Sequence, residues 1–258
     1  MIRLPPSFRE RVWGSANLEP WFPGVAGRIG EVWFTADPPH PILVKFLFTT
    51  GNLSVQVHPA GDAGVGKTEM WHILRAEPGA RIALGFREPV TRERLRESAL
   101  SGRIEQLLQW FPVQAGQTYF TPAGTVHAIG AGITLCEIQQ NSDITYRLYD
   151  YGRPRDLHLE EGVAAADLGP HPGPSAGAPL EDGWTRLVHC PYFVTDLIET
   201  AAETTCPPGC LLVVLDGHGK VDGEAVRAGQ VCLDAIRIRP ESPIRLLRTY
   251  APTSALSR

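Results

Sequence analysis

The sequence predicts a mainly β protein built as a barrel around a metal-binding site, and three observations carry that prediction. Short runs of β-branched and aromatic residues, such as 31–34 and 41–48, recur between Gly and Pro turns. Two further runs, Ser54-Val55-Gln56-Val57-His58-Pro59 and Thr121-Pro122-Ala123-Gly124-Thr125-Val126-His127, each place a histidine beside a turn. Glu69 stands between them. Alternate side chains of a strand share a face, so Gln56 and His58 project together. Two imidazoles, a carboxylate and an amide oxygen make a four-ligand set for a zinc-like divalent ion. Such ligands on short, turn-bounded strands suit the inside of a β-barrel.

The elements follow in order. After the strands at 31–34 and 41–48, residues 53–58 form a third, and a loop containing Gly61, Gly64 and Gly66 leads to strand 67–74. Residues 80–86 are again strand. Thr91 to Trp110 breaks the pattern. Thr91 is placed to cap a helix with Leu95, Ala99 and Leu100 at helical spacing, and Ile104, Leu107 and Leu108 begin a second helical run. This insertion either covers a barrel mouth or packs on the core. Strand character returns at 113–120, 133–139 and 145–151. Residues 168–183, rich in Pro and Gly without periodicity, read as a linker. Strands at 211–216, 220–226 and 231–238 then form a smaller second set, with turns at Gly217-His218-Gly219 and Asp222-Gly223. The expected division is a metal-binding unit at 1–167, a linker at 168–183 and a smaller β unit at 184–258.

One internal echo links the halves. Gln114-Ala115-Gly116-Gln117 resembles Arg227-Ala228-Gly229-Gln230. Aligning the glycines sets Ala235 against Pro122 and Pro240 against His127, so the second unit is expected to bind no metal.

Composition narrows the partners. A chain of 258 residues, 43% hydrophobic and 20% charged, is ordinary for a soluble globular protein with a substantial core. A net charge of -4 and the lack of a dense Lys/Arg run argue against nucleic acid. No apolar run approaches the ~20 residues of a membrane span. Residues 1–11 show no signal-peptide core, so the expected location is the cytoplasm. Five cysteines include Cys206 and Cys210 around Pro207-Pro208-Gly209, but no second Cys or His pair follows at zinc-knuckle spacing. Reduced thiols in a loop are the simpler reading.

Gly116, Pro122, Gly124 and His127 have the spacing of the second motif of the cupin barrels, with Ala131 where that motif often ends in asparagine. The first cupin motif is altered, its His-x-His becoming Gln56-Val57-His58. The stretches L-S-V-Q-V-H-P at 53–59, G-K-T-E at 66–69, P-A-G-T-V-H-A-I-G at 122–130 and Q-N-S-D-I-T-Y-R-L-Y-D-Y at 140–151 resemble the class I mannose-6-phosphate isomerases in their short bacterial form. The resemblance is strong over about residues 10–168 and weak beyond, and the loop between His58 and Gly66 is trimmed.

The resemblance implies a cupin (jelly-roll) barrel, one Zn2+ per chain and a phosphorylated hexose substrate, isomerised through a cis-enediol. It implies Gln56, His58, Glu69 and His127 as metal ligands, with Gln56 either a ligand or an orienting group behind the ligands. His72, an odd number of residues after Glu69, points the other way and reads as core or surface. Arg147 lies in an apolar strand, where it either pairs with Glu137 or Asp143 or, as the resemblance implies, stabilises an enediolate. Lys67 and Glu137 are the candidates for proton transfer. Ser54 and Arg153 are candidates for the phosphate end. Two rival readings are an iron-dependent cupin oxygenase and a non-catalytic sugar-binding cupin. The set Lys67, Glu137 and Arg147 argues against mere binding.

Overall fold

The strands that read as unbroken apolar runs are buried on both faces. The computed structural model describes residues 1–62 and 64–252. In it every residue of Ile42–Thr49 and of Ile133–Gln140 is buried. Their side chains alternate between two apolar layers: Ile42, Val44, Phe46 and Phe48 enter one, Leu47 the other. Both strands belong to a six-stranded antiparallel sheet with the order Pro6–Ser15, Ile29–Phe34, Ile42–Thr49, Ile133–Gln140, Glu69–Ala76, Thr118–Thr121. One face packs on a five-stranded sheet in the order Tyr146–Tyr149, Val55–Val57, His127–Ile129, Arg81–Phe86, Leu108–Pro112. Trp71, Leu135, Leu84 and Ile129 meet between them. This is the first barrel, and the fold is mainly β.

The opposite face of the six-stranded sheet packs on a seven-stranded sheet through Phe46, Met70 and Ile138 against Leu211, Val213 and Leu247. That sheet in turn covers a four-stranded one, with Leu212, Val214, Val226 and Ile238 between them. The strand Leu211–Asp216 shows the period of two directly: Leu211, Val213 and Leu215 serve one layer, Leu212 and Val214 the next.

Several expectations are corrected. Residues 108–112 form a strand, not the end of a helical run, because Leu108–Pro112 pairs with Arg81–Phe86. A short apolar run does not by itself separate the two periods. Gln114 to Gln117 is a turn, and the strand expected at 113–120 begins at Thr118. Lys220 to Val226 divides into His218–Val221 and Glu224–Arg227 at the Asp222-Gly223 turn. The second unit holds more strands than the three expected, since Thr185–His189, Val194–Thr200 and Ile244–Tyr250 join its seven-stranded sheet. Ile2–Leu4 leaves the first unit and hydrogen-bonds to Val231–Leu233. The Pro/Gly-rich segment at 168–183 lies on the first barrel: Leu168 O accepts from Val90 N and Ser175 N donates to Thr118 O.

Helix Arg92–Leu100 is capped by Thr91, whose side chain accepts from Arg94 N. Leu95, Ala99 and Ile104 pack with Val163 of helix Leu159–Ala165 on the outer side of the five-stranded sheet. The helical insertion therefore serves packing. Among the described residues, no helix is long and apolar enough to cross a membrane.

Candidate metal centre and cleft

Each wall of the first barrel contributes one row of polar side chains. In the five-stranded sheet, Gln56 lies directly between His127 and Arg147. In the six-stranded sheet, Glu69 lies between Thr121 and Gln139, and the row two residues away reads Trp71, Glu137, Lys45, Trp33. Directly paired residues share a face, so both rows look into the barrel. The turn before His127 needs its glycine. Gly124 has φ +92°, its N–H donates to His58 O (2.9 Å), and a Cβ there would lie 2.8 Å from Asp167.

His58, Glu69 and His127 are each 1% exposed, and one ligand atom from each falls within 4.8 Å of the others. The His58 and His127 Nδ1 atoms lie 2.9 Å from Ile144 O and 2.8 Å from Thr125 O. A carbonyl only accepts, so each ring carries its proton on Nδ1 and turns the Nε2 lone pair inward. Both Nε2 atoms are 3.6 Å from the Glu69 carboxylate. Glu69 Oε2 is buried with no hydrogen-bond partner, although Lys67 Nζ stands 3.2 Å away. Gln56 Nε2 is 3.3 Å from His127 Nε2. A half-turn of this amide, whose O and N are interchangeable by assignment, presents Oε1 at the same point. Two oriented neutral imidazoles, an under-satisfied carboxylate and an adjacent amide fit a divalent cation.

The electrostatics agree. Burial holds His58 well below the ordinary range, aided by Lys67, and pushes His127 down to about 4, so both rings are neutral. Burial raises Glu69 to about 7 against the pull of Lys67. Burial opposes the Lys67 ammonium, but Glu69 and Glu137 outweigh it and the net shift is upward. Burial likewise opposes the Glu137 carboxylate, yet Lys45 and Lys67 hold it below its usual range. Such buried charges persist because each has a partner.

A cavity of about 530 Å³ opens beside this cluster. Gln56, Lys67, Glu137, Ser54 and Arg147 line it. Arg147 pairs with neither Glu137 nor Asp143; its Nη1 donates to Asp156 O (2.9 Å). Arg153 is not among the lining residues. It pairs with Asp150 (2.5 Å) and lies over the Tyr151 ring, while Arg155 reaches the cavity wall. His72 is buried outside the barrel interior, with Nδ1 2.9 Å from Thr118 Oγ1.

Lys45 escaped the sequence reading. It is 3% exposed, its Nζ is 3.3 Å from Glu137 Oε1 and 4.1 Å above the Trp33 ring, and it lines the cavity. Trp71 Nε1 donates to the other Glu137 oxygen (3.0 Å). Burial, then Lys67, depresses the Lys45 ammonium. The signal was present: only three lysines occur in the chain, and this one interrupts an otherwise apolar strand.

No family model matches the chain. A mannose-6-phosphate isomerase of Streptococcus mutans is 36% identical over 198 residues, 70% of this chain and 62% of that protein. The chain thus spans less than two thirds of that relative's length. Mannose-6-phosphate isomerase ManA of Bacillus subtilis is 31% identical over 276 aligned positions, 86% of this chain and 87% of that one. The crystal structure of the Bacillus subtilis mannose 6-phosphate isomerase superimposes with a TM-score of 0.84 at 25% identity, over 96% of this chain and 98% of that chain. With that fold, that coverage and a His-Glu-His cluster that could hold a metal ion in the expected barrel, the chain belongs to the mannose-6-phosphate isomerase family.

Proposed function

We propose that this chain interconverts D-mannose 6-phosphate and D-fructose 6-phosphate, with one zinc ion held by His58, Glu69, His127 and Gln56. The observation that carries the reading is the convergence of these donors behind a cavity walled by Lys67, Glu137 and Arg147. When bound, the ion supplies Lewis-acid polarisation of the sugar's carbonyl oxygen. The residues do the rest. A base on the cavity wall takes the C2 proton of the open-chain aldose, and the proton is returned at C1 of the cis-enediol. Glu137, held as the carboxylate, and Lys67, whose ammonium would first have to give up its proton, are the two groups assigned to this transfer. Lys45 and Trp71 hold one Glu137 oxygen each and so fix its orientation. Arg147 keeps its charge at any working pH and stabilises the enediolate without giving up a proton. Ser54 lies at the phosphate end, with Arg155, which Asp150 holds at the cavity wall. The second unit, largely 184–258, is assigned to packing.

A coupled assay tests the proposal. Chelation should abolish turnover of mannose 6-phosphate, and zinc should restore it at one ion per chain. Full activity in metal-free protein would refute it. Solvent-deuterium exchange separates the two proton carriers, since only the variant of the true base (Lys67→Met or Glu137→Gln) loses label incorporation along with turnover.

A further inference from the structure

One wall of the cavity comes from a segment that leaves its sheet. Glu10 and Ser15 both pair with Ile29, so the four residues from Arg11 to Gly14 fall outside the strand ladder. Bulges of this kind re-aim side chains and recur beside active sites. This one is pinned: Arg11 N donates to Arg28 O (3.2 Å), and Thr50 N donates to Trp13 O (2.8 Å). Glu10, Arg11, Val12 and Trp13 all line the cavity. Gly30 makes room for them, because a Cβ there would lie 2.6 Å from Arg11 Cβ and 2.7 Å from the Trp13 ring. The Arg11 stem thus crosses a gap left by a missing side chain.

The guanidinium is held at one edge only. Nη2 donates to Glu31 Oε2 (2.7 Å), Nη1 donates to Glu10 O (3.1 Å), and Glu31 is itself anchored by Trp33 Nε1 (3.1 Å). Its Nε–H makes no hydrogen bond among the described residues. The other lining arginines are differently engaged, Arg155 by both oxygens of Asp150 and Arg147 by Asp156 O. We infer that Arg11, carried on the bulge, is a phosphate-recognising residue that selects phosphorylated over unphosphorylated hexoses. The inference rests on the sugar-phosphate reading of the cavity. An oriented planar fork suits a phosphate dianion better than a mobile point charge does.

Kinetics of Arg11→Met and Arg11→Lys on mannose 6-phosphate and on mannose, with inorganic phosphate as competitor, decide the matter. Arg11→Met should raise KM for mannose 6-phosphate and Ki for phosphate by about 10–100-fold, the scale of one charge-assisted contact. kcat should change little, preference over mannose should fall by the same factor, and Arg11→Lys should recover part of it. Glu31→Gln breaks the same ion pair but keeps the guanidinium, so it should retain phosphate binding. Equal losses in Arg11→Met and Glu31→Gln would overturn the inference in favour of a purely structural pair, as would an unchanged KM in Arg11→Met. If the parent bound phosphate through Arg11 yet isomerised no hexose phosphate, the proposed reaction would fall and Arg11 would stand.

Discussion

The two barrels place an ion pair at the same point and set it in different surroundings. In the first, Glu137 lies between Lys45 and Trp71; in the second, Arg248 lies between Asp196 and Leu212. The echoed turns fix the equivalence. Gly116 N donates to Ile73 O and Gly229 N to Val214 O, with φ of +89° and +86°. Gln117 Oε1 accepts from Gln114 N, and Gln230 Oε1 from Arg227 N. Counting back two residues from Ile73 and Val214 sets Trp71 against Leu212. Lys45 and Glu137 therefore correspond to Asp196 and Arg248 with the charges exchanged. The first pair faces an open cavity. The second is closed: Arg186 also binds Asp196, and Arg248 lies over Trp184 and Tyr250. The equivalent buried pair thus stands at a cavity wall in one barrel and inside closed packing in the other.

The largest expected effect tests the metal proposed for the first barrel. His58→Ala or His127→Ala should lose stoichiometric metal and essentially all turnover while the second barrel stays folded. Metal analysis with circular dichroism checks this, and unchanged metal content in both would erase the contrast. Next comes the closed pair. Asp196→Ala strands two arginines on a buried face and should cost about 3–5 kcal/mol of stability, read as a lower Tm. Activity of the folded fraction should persist. A kcat collapse without a Tm change would mean that the second pair is functional too.

Arg147→Ala should behave in the opposite way. Loss of an enediolate-stabilising donor should lower kcat about 10²–10³-fold, or ~3–4 kcal/mol, with KM, metal and Tm nearly unchanged. Near-normal kcat would end the assignment.

The smallest effect near neutral pH lies at the seam between the barrels. His72 faces Arg245 and Thr118, and burial pushes it down to about 4, below the ordinary 6.5. The unfolded chain therefore takes up this proton first, and stability falls as pH drops from 6.5 toward 4. The loss should be a few tenths of a kcal/mol near pH 6.5, growing to roughly 3 kcal/mol near pH 4. His72→Gln should flatten that acid limb in a Tm-versus-pH series, and an unchanged limb would exclude His72 as its cause.

The sequence by itself determined the histidine-bearing motifs, because alternation along one strand and a Pro/Gly turn are local. Gln56 and His58 share a face wherever their strand lies, and Thr91 caps its helix from four residues of context. Glu69 and Arg147 were also legible, as polar residues inside apolar or motif-bearing strands. The pairing of Lys45 with Glu137, the closed Asp196–Arg248 pair and the Arg11 bulge were decided by tertiary structure. Each depends on the register between strands distant in the chain, and a slip of one residue would turn Lys45 from the cavity into the apolar layer behind it. Arg153 and Arg155 make the same point at close range. Both bind Asp150, and only the folded loop determines that Arg155 reaches the cavity wall.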